Sequence, residues 1–298
     1  MRPLRPFLLL ALLCAGRGAP AANPGVRRFP GGEVSRFANA YWFRTERGSV
    51  LVDAPLLRRE AEALRSEIAS AGGLPLGAAI LTSGRPEAAF GLGALLSPST
   101  RVWGSRATAA LLESTFARER ERLLRAGVPL AALPLSPPRI TSPFTRSLSL
   151  GFEGYTLRLL SQADDGTEAS TVVFVPETGE LFTGHLVWNR VHPMTAGADL
   201  GAWRRALNRL RQLSPRVVYP GHGEPGAREL LDEMAAYLGA LEEAVRPLAF
   251  RSRLSAGDVR AAGRALGRAR RSWLLPDVVD GNVRAEHARL RALLAGED

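Results

Sequence analysis

The sequence predicts a mixed α/β (α+β) chain built as a four-layer αββα sandwich, two β-sheets packed face to face with helices on both outer surfaces and extra helices at the C-terminal end. Two observations carry that expectation. The chain reads as two halves, each opening β-rich and closing with alternating strands and helices, and a sheet hydrophobic on both faces has to be covered on both. At 298 residues and 46% hydrophobic content, one large domain with an appendage is long enough to bury such a core.

Taken in order, "VSRFANAYWFRT" and "GSVLVDAP" are β-rich runs split by "ERG", a hairpin. "LLRREAEALRSEIASAGG" is an amphipathic helix stopped by two glycines, "GAAILTSG" an apolar strand with a polar end, and "RVWGS" a second short strand. "RATAALLESTFARERERLLRAG" is a long helix closed by Gly127, and the Pro-rich stretch 134–144 is an extended loop. In the second half, "SLSL", "TLRLLS" and "STVVFVPETGELFTG" are strands, the last folding back at Glu177-Thr178-Gly179. "DLGAWRRALNRLRQLS" is a helix capped by Asp199, "RVVYPGHG" a strand and loop, and "GARELLDEMAAYLGALEEAVRPL" a helix. Short helices near 255–268 and 283–295 finish the chain.

The first residues, "MRPLRPFLLLALLCAGRGAPAAN", pair basic Arg2 and Arg5 with an apolar run from Phe7 to Ala15 and small residues at Ala19 and Ala21. The run is too short to span a bilayer, so residues 1–21 are expected to be an export signal cut before Ala22, which places the protein in the periplasm or outside the cell with no membrane span left. Cys14 is the only cysteine and leaves with that leader, so a metal site has to use His, Asp or Glu. The formal charge of +10 falls to +7 without the leader's three arginines. All 39 basic residues are arginine, but they alternate with acids, as in "RERERLLR" and "RAEHARLR", with no aromatic-studded basic stripe. Nucleic acid is not an expected partner.

Three loops fall at strand C-termini: Thr82 to Glu87, Gly184 to His192, and Pro220 to Gly223. With "VLVDAP" upstream, their order resembles the metallo-β-lactamase superfamily of hydrolases, over about residues 34–240, with 241–298 as a helical extension. "LFTGHLVWNRVHP", "AWRRALNRL", "RVVYPGHGEPG" and the tail "GNVRAEHARLRAL" further resemble its exported branch associated with quinoprotein dehydrogenase systems. Such proteins hold two zinc ions with a T-H-x-H-x-D-H loop, a later His, a bridging Asp and a final His. Aligned on Thr82, this chain has Ser83 and Arg85 for the first two histidines, Glu87 for the Asp and Ala88 for the third histidine. The later His falls near Gly166, the bridging Asp is His185, and His222 is the final His unchanged.

The resemblance therefore implies a degenerate centre. A guanidinium cannot deprotonate to ligate and repels a dication, and a serine hydroxyl is a poor zinc donor. Glu87, His185 and His222 remain, two imidazoles and a carboxylate, a set that suits one zinc or another divalent metal. The leading expectation is an inactive or non-classical hydrolase with no cofactor, whose cleft, lined by Ser83, Arg85, Glu87, His185, His192 and His222, binds a small anionic molecule or an acidic partner. Alternatives are an active single-metal hydrolase on Glu87, His185 and His222, and a periplasmic accessory protein of a quinoprotein redox system. Each residue also has a structural reading: His222 bonded to neighbouring backbone, His185 neutral with its hydrogen bonds met, Glu87 paired with Arg85, His192 bracing its loop, Asp53 bracing another, Asp164 and Asp165 forming a turn, and His287 solvated on a charged helix.

Overall fold

A computed structural model describes residues 25–46, 48–152, 154–162, 169–268 and 270–296. The leader, Asp164, Asp165 and Gly166 lie outside the described residues. The first sheet holds β1 (Arg27–Pro30), β2 (Asn39–Thr45), β3 (Gly48–Val52), β4 (Leu76–Ile80), β5 (Arg101–Ser105) and β6 (Ser142–Phe144), in that spatial order. β1 to β3 are antiparallel, and β3 to β6 are parallel. The second sheet runs β11 (Val217–His222), β10 (Glu180–Trp188), β9 (Thr171–Val175), β8 (Tyr155–Ser161) and β7 (Ser147–Phe152), parallel only between β10 and β11.

Side-chain alternation along a strand explains the layering. On β2, Tyr41 and Phe43 point between the sheets while Ala40 and Trp42 point outward. On β3, Val50 and Val52 face inward and Leu51 outward. Successive side chains leave a strand on opposite faces, so a strand apolar at every position is buried on both sides. Between the sheets, Phe182 stacks on Tyr219 at 4.6 Å and meets Tyr41 edge-on at 5.6 Å. The outer face of the first sheet is covered by α1 (Arg58–Ser70) and α3 (Arg106–Arg125) through Leu64, Ile68, Leu112 and Phe116.

The second sheet is covered by α4 (Leu200–Gln212) and α5 (Glu229–Val245), backed by α6 (Ala256–Gly267) and α7 (Val278–Ala295). With the short α2 (Pro86–Ala89), seven α-helices and two sheets among the described residues form the expected αββα sandwich. Asp199 caps α4 as expected, its side chain accepting from Ala202 N at 3.0 Å. Among the described residues no helix is long and apolar enough to cross a membrane.

β1, ahead of residue 34, pairs along β2, and α5 runs through residue 240. Two expectations need correction. α7 starts five residues earlier than expected, at Val278. His287 is buried, not solvated, and its Nε2 lies 3.1 Å from the Arg251 carbonyl. The buried stripe of α7 is Val279, Asn282, Val283, Glu286 and His287. Its spacing is helical but three of its five members are polar, so hydrophobic periodicity does not reveal it.

Candidate metal centre

β10 and β11 run parallel with a shifted register, Gly184 opposite Pro220 and Trp188 opposite His222. The two strand ends come close enough to need glycine. A Cβ on Gly221 would sit 2.5 Å from the Gly184 carbonyl oxygen, and one on Gly223, whose φ is +83°, would sit 2.0 Å from the Asn189 carbonyl oxygen. That close approach sets His185 beside His222, ring centroids 5.0 Å apart at 74°. The third residue comes from the other sheet: the chain leaves β4, turns at Ser83–Arg85 and enters α2, where Pro86 starts the helix and Glu87 follows.

Glu87, His185 and His222 are all buried, and one donor atom of each lies within 4.8 Å of the other two. Glu87 Oε1 is 3.3 Å from His185 Nε2. The His222 Nδ1–H donates to the Arg36 carbonyl at 2.8 Å, which leaves its Nε2 lone pair facing inward. His222 Nε2 and His185 Nδ1 have no hydrogen-bond partner among the described residues. The expectation of a His185 with all its hydrogen bonds met is therefore corrected. A backbone carbonyl fixing the tautomer on one nitrogen while the other stays available is the arrangement of a metal-ligating imidazole.

Trp188 completes the setting. Its ring stacks on His222 at 3.4 Å and 6°, and its Nε1–H donates to the His185 carbonyl at 2.8 Å. Burial, and next the charge of His185, hold His222 well below the usual histidine range, so its imidazole is neutral. Burial pushes the Glu87 carboxyl up, but the hydrogen bond and charge of His185, and then the charge of Arg85, outweigh it and keep Glu87 ionised. The carboxylate that the chain offers is thus ready to ligate, and His185 is the partner it already holds.

Asp53 braces the centre from beneath. It sits at φ +60° and accepts from Thr82 N at 2.7 Å and from Thr82 Oγ1 at 2.5 Å. Burial raises its carboxyl to about 6, against those hydrogen bonds and the charge of His185. The remaining sequence candidates are spread out. Ser83 is buried, accepts from Arg85 N at 3.2 Å and bridges to Ser170. Arg85 lines a nearly closed cavity of about 20 Å³ beside His185, Trp188 and Trp203. His192 does not join the cluster: its Nδ1 is 3.1 Å from the Tyr237 hydroxyl, and its ring packs on Tyr237 and Trp273. Two residues carry no usable signal in the sequence. Arg36 acts through its carbonyl, which any residue has, and Trp188 through a stacking partner 34 residues away in the chain.

Residues 35–222 match the family model of the metallo-beta-lactamase superfamily, and the chain belongs to that superfamily. Among solved structures it resembles a metallo-beta-lactamase from Pontibacter korlensis at 24% identity and a TM-score of 0.55, over 68% of this chain and 87% of that one. The DIM-1 metallo-beta-lactamase gives 21% identity and a TM-score of 0.54, over 68% of this chain and 86% of that one. TMB-1 gives 20% and 0.51, over 68% and 85%. At these identities the likeness concerns the fold. No curated protein matches the chain.

Ser83 and Arg85, expected at the first metal position, are poor donors: Ser83 accepts a backbone hydrogen bond and a guanidinium does not deprotonate to ligate. One divalent ion does fit. Ligands at about 2.0–2.2 Å from a shared ion lie within about 4.4 Å of each other, so a cluster held within 4.8 Å needs side-chain shifts of only a few tenths of an ångström.

Proposed function

We propose that this chain is a non-classical member of its superfamily, with one divalent metal at most on Glu87, His185 and His222, and that it binds a small anionic molecule in the cleft above them. The observation that carries this reading is the convergence of those three donors with His222 Nε2 buried, neutral and without a protein partner. A metal held there would polarise a carbonyl or phosphoryl oxygen and lower the pKa of water. The chain's own residues do the rest. Arg36 O and Trp188 hold His222 in one orientation, Glu87 supplies the anionic donor, and Asp53 fixes Thr82 and the turn that follows it. The centre lacks the donors for the superfamily's two-zinc hydrolysis of β-lactams, thioesters or phosphodiesters.

Export to the periplasm belongs to the same reading, and service to a quinoprotein redox system there is the alternative to it. They are supported by the leader-like residues 1–21 and by the "LFTGHLVWNRVHP" and "RVVYPGHGEPG" segments. Elemental analysis of zinc-supplemented full chain, with N-terminal sequencing of the same preparation, tests both parts. One metal per chain, lost in His222→Ala at unchanged circular dichroism, and a start near Ala22 are expected. Two zinc ions per chain would overturn the degenerate centre, none would leave a metal-free binding protein, and Met1 retained on cytoplasmic protein would refute export.

A further inference from the structure

Glu87 is not sealed from above. Two adjoining grooves meet at Glu87, Arg36 and Arg122, one of about 510 Å³ and one of about 310 Å³. The larger falls within the range of about 300–1,000 Å³ usual for small-molecule sites. Its two ends differ in chemistry. Away from Glu87 it runs between the start of α1 and the end of α3 along Leu56, Leu57, Leu123, Val128 and Ala132. At the Glu87 end the charges are arginines: Arg36, with no acidic partner among the described residues, and Arg122, paired only with Glu119 at 2.7 Å. Two acids, Glu33 and Asp277, and a third arginine, Arg59, also line the groove, while Glu87 itself is already engaged by His185.

Arg36 is held there at a conformational cost. It and Phe37 both lie in the left-handed region, at φ +52° and +59°, where a non-glycine residue is strained by about 1 kcal/mol or more. The turn is fixed by Arg36 N–Glu33 O at 2.8 Å and Phe37 N–Gly32 O at 3.0 Å, and by the bond from His222 Nδ1 to the Arg36 carbonyl. One residue thus orients an imidazole of the centre with its carbonyl and sends its side chain into the groove. Strain of this kind persists where the surroundings enforce it, and such places are commonly functional.

Resting on the one-metal reading for the position of its head group, we propose that the larger groove takes an amphipathic carboxylate. The carboxylate lies at Arg36 and Arg122 beside Glu87, and an unbranched apolar body lies along Leu57, Leu123 and Val128. A charge-assisted pair at a guanidinium anchors the head, and transfer of the body from water supplies most of the affinity.

Calorimetric titration of the full zinc-supplemented chain with sodium decanoate below its micellar range tests this, with octanoate and decanol as comparisons. Decanoate is expected to bind, octanoate about fifteenfold more weakly for two methylenes lost, and decanol about tenfold more weakly than decanoate for want of the charge. Arg36→Gln, which keeps the carbonyl to His222, should weaken decanoate about tenfold and leave decanol unchanged. Ala132→Glu, in the groove wall, should abolish decanoate binding. No decanoate binding, equal binding of acid and alcohol, or binding untouched by both variants would overturn the proposal. Metal content measured on the same samples separates the two readings. A metal-loaded chain that ignores decanoate sinks the groove alone, and a metal-free chain that binds it sinks the one-metal centre alone.

Discussion

The two sides of the centre are built differently. The turn from Thr82 to Ala88 joins the first sheet to α2 and brings a single donor, Glu87, to the cluster. Across the cleft, the ends of β10 and β11 carry His185 and His222, held by a tryptophan stack, a backbone acceptor and glycine-tight packing. The turn is tied by hydrogen bonds, Thr82 to Asp53 and Ser83 to Ser170. On the strand ends, each donor side chain is also part of the ring packing, so removing one there should cost stability as well as metal.

The largest test of that contrast is Trp188→Ala. Removing a buried indole should cost about 3–5 kcal/mol, read as a drop in the denaturant midpoint, and free the His222 ring so that metal affinity falls as well. A loss below about 1 kcal/mol would mean that the ring packing on this side carries little stability.

A somewhat smaller effect concerns a histidine on the same side that is not a donor. Burial, and then the charge of Arg270, depress His192 from its ordinary 6.5 to about 4. The unfolded chain therefore takes up the proton first as pH falls, so the native state has this stability in full above about 6.5 and loses it down to about 4, by at most about 3 kcal/mol. His192→Gln should flatten the stability-against-pH curve in that window and leave metal content unchanged. An altered metal content would place His192 in the centre after all.

The smallest effect falls on the turn. Arg85→Ala removes a cation from beside Glu87 and should raise zinc affinity about tenfold, roughly 1.4 kcal/mol of relieved repulsion, with little change in the unfolding midpoint. Competition with a chelating dye measures it; weaker binding in the variant would show that Arg85 supports the centre.

Much of this was legible in the sequence. Consecutive apolar runs, Ala40 to Phe43 in β2, Val50 to Val52 in β3 and Val172 to Val175 in β9, mark strands buried on both faces, and Asp199 announces α4. The resemblance of the three strand-end loops to a known family, aligned on Thr82, pointed to Glu87, His185 and His222, which the structure places together. What the sequence withheld were features without a side-chain pattern. Arg36 acts through a carbonyl and a left-handed backbone. Trp188 looks like any core aromatic. The stripe of α7 hides Asn282, Glu286 and His287 inside because each finds a specific polar partner there, whereas local charge density suggests solvent.

Those α7 contacts carry a mechanical consequence. Asn282 accepts from Thr195 N and donates to the Pro193 carbonyl, while His192 N and Leu274 N bond the Leu274 and Arg190 carbonyls. The last helix and the segment before it are thus stitched to the loop that leaves β10 just beyond Trp188. Four hydrogen bonds couple the last helix and its lead-in to the loop beside the imidazole side of the cleft, in addition to the packing of α7 on α5 and α6.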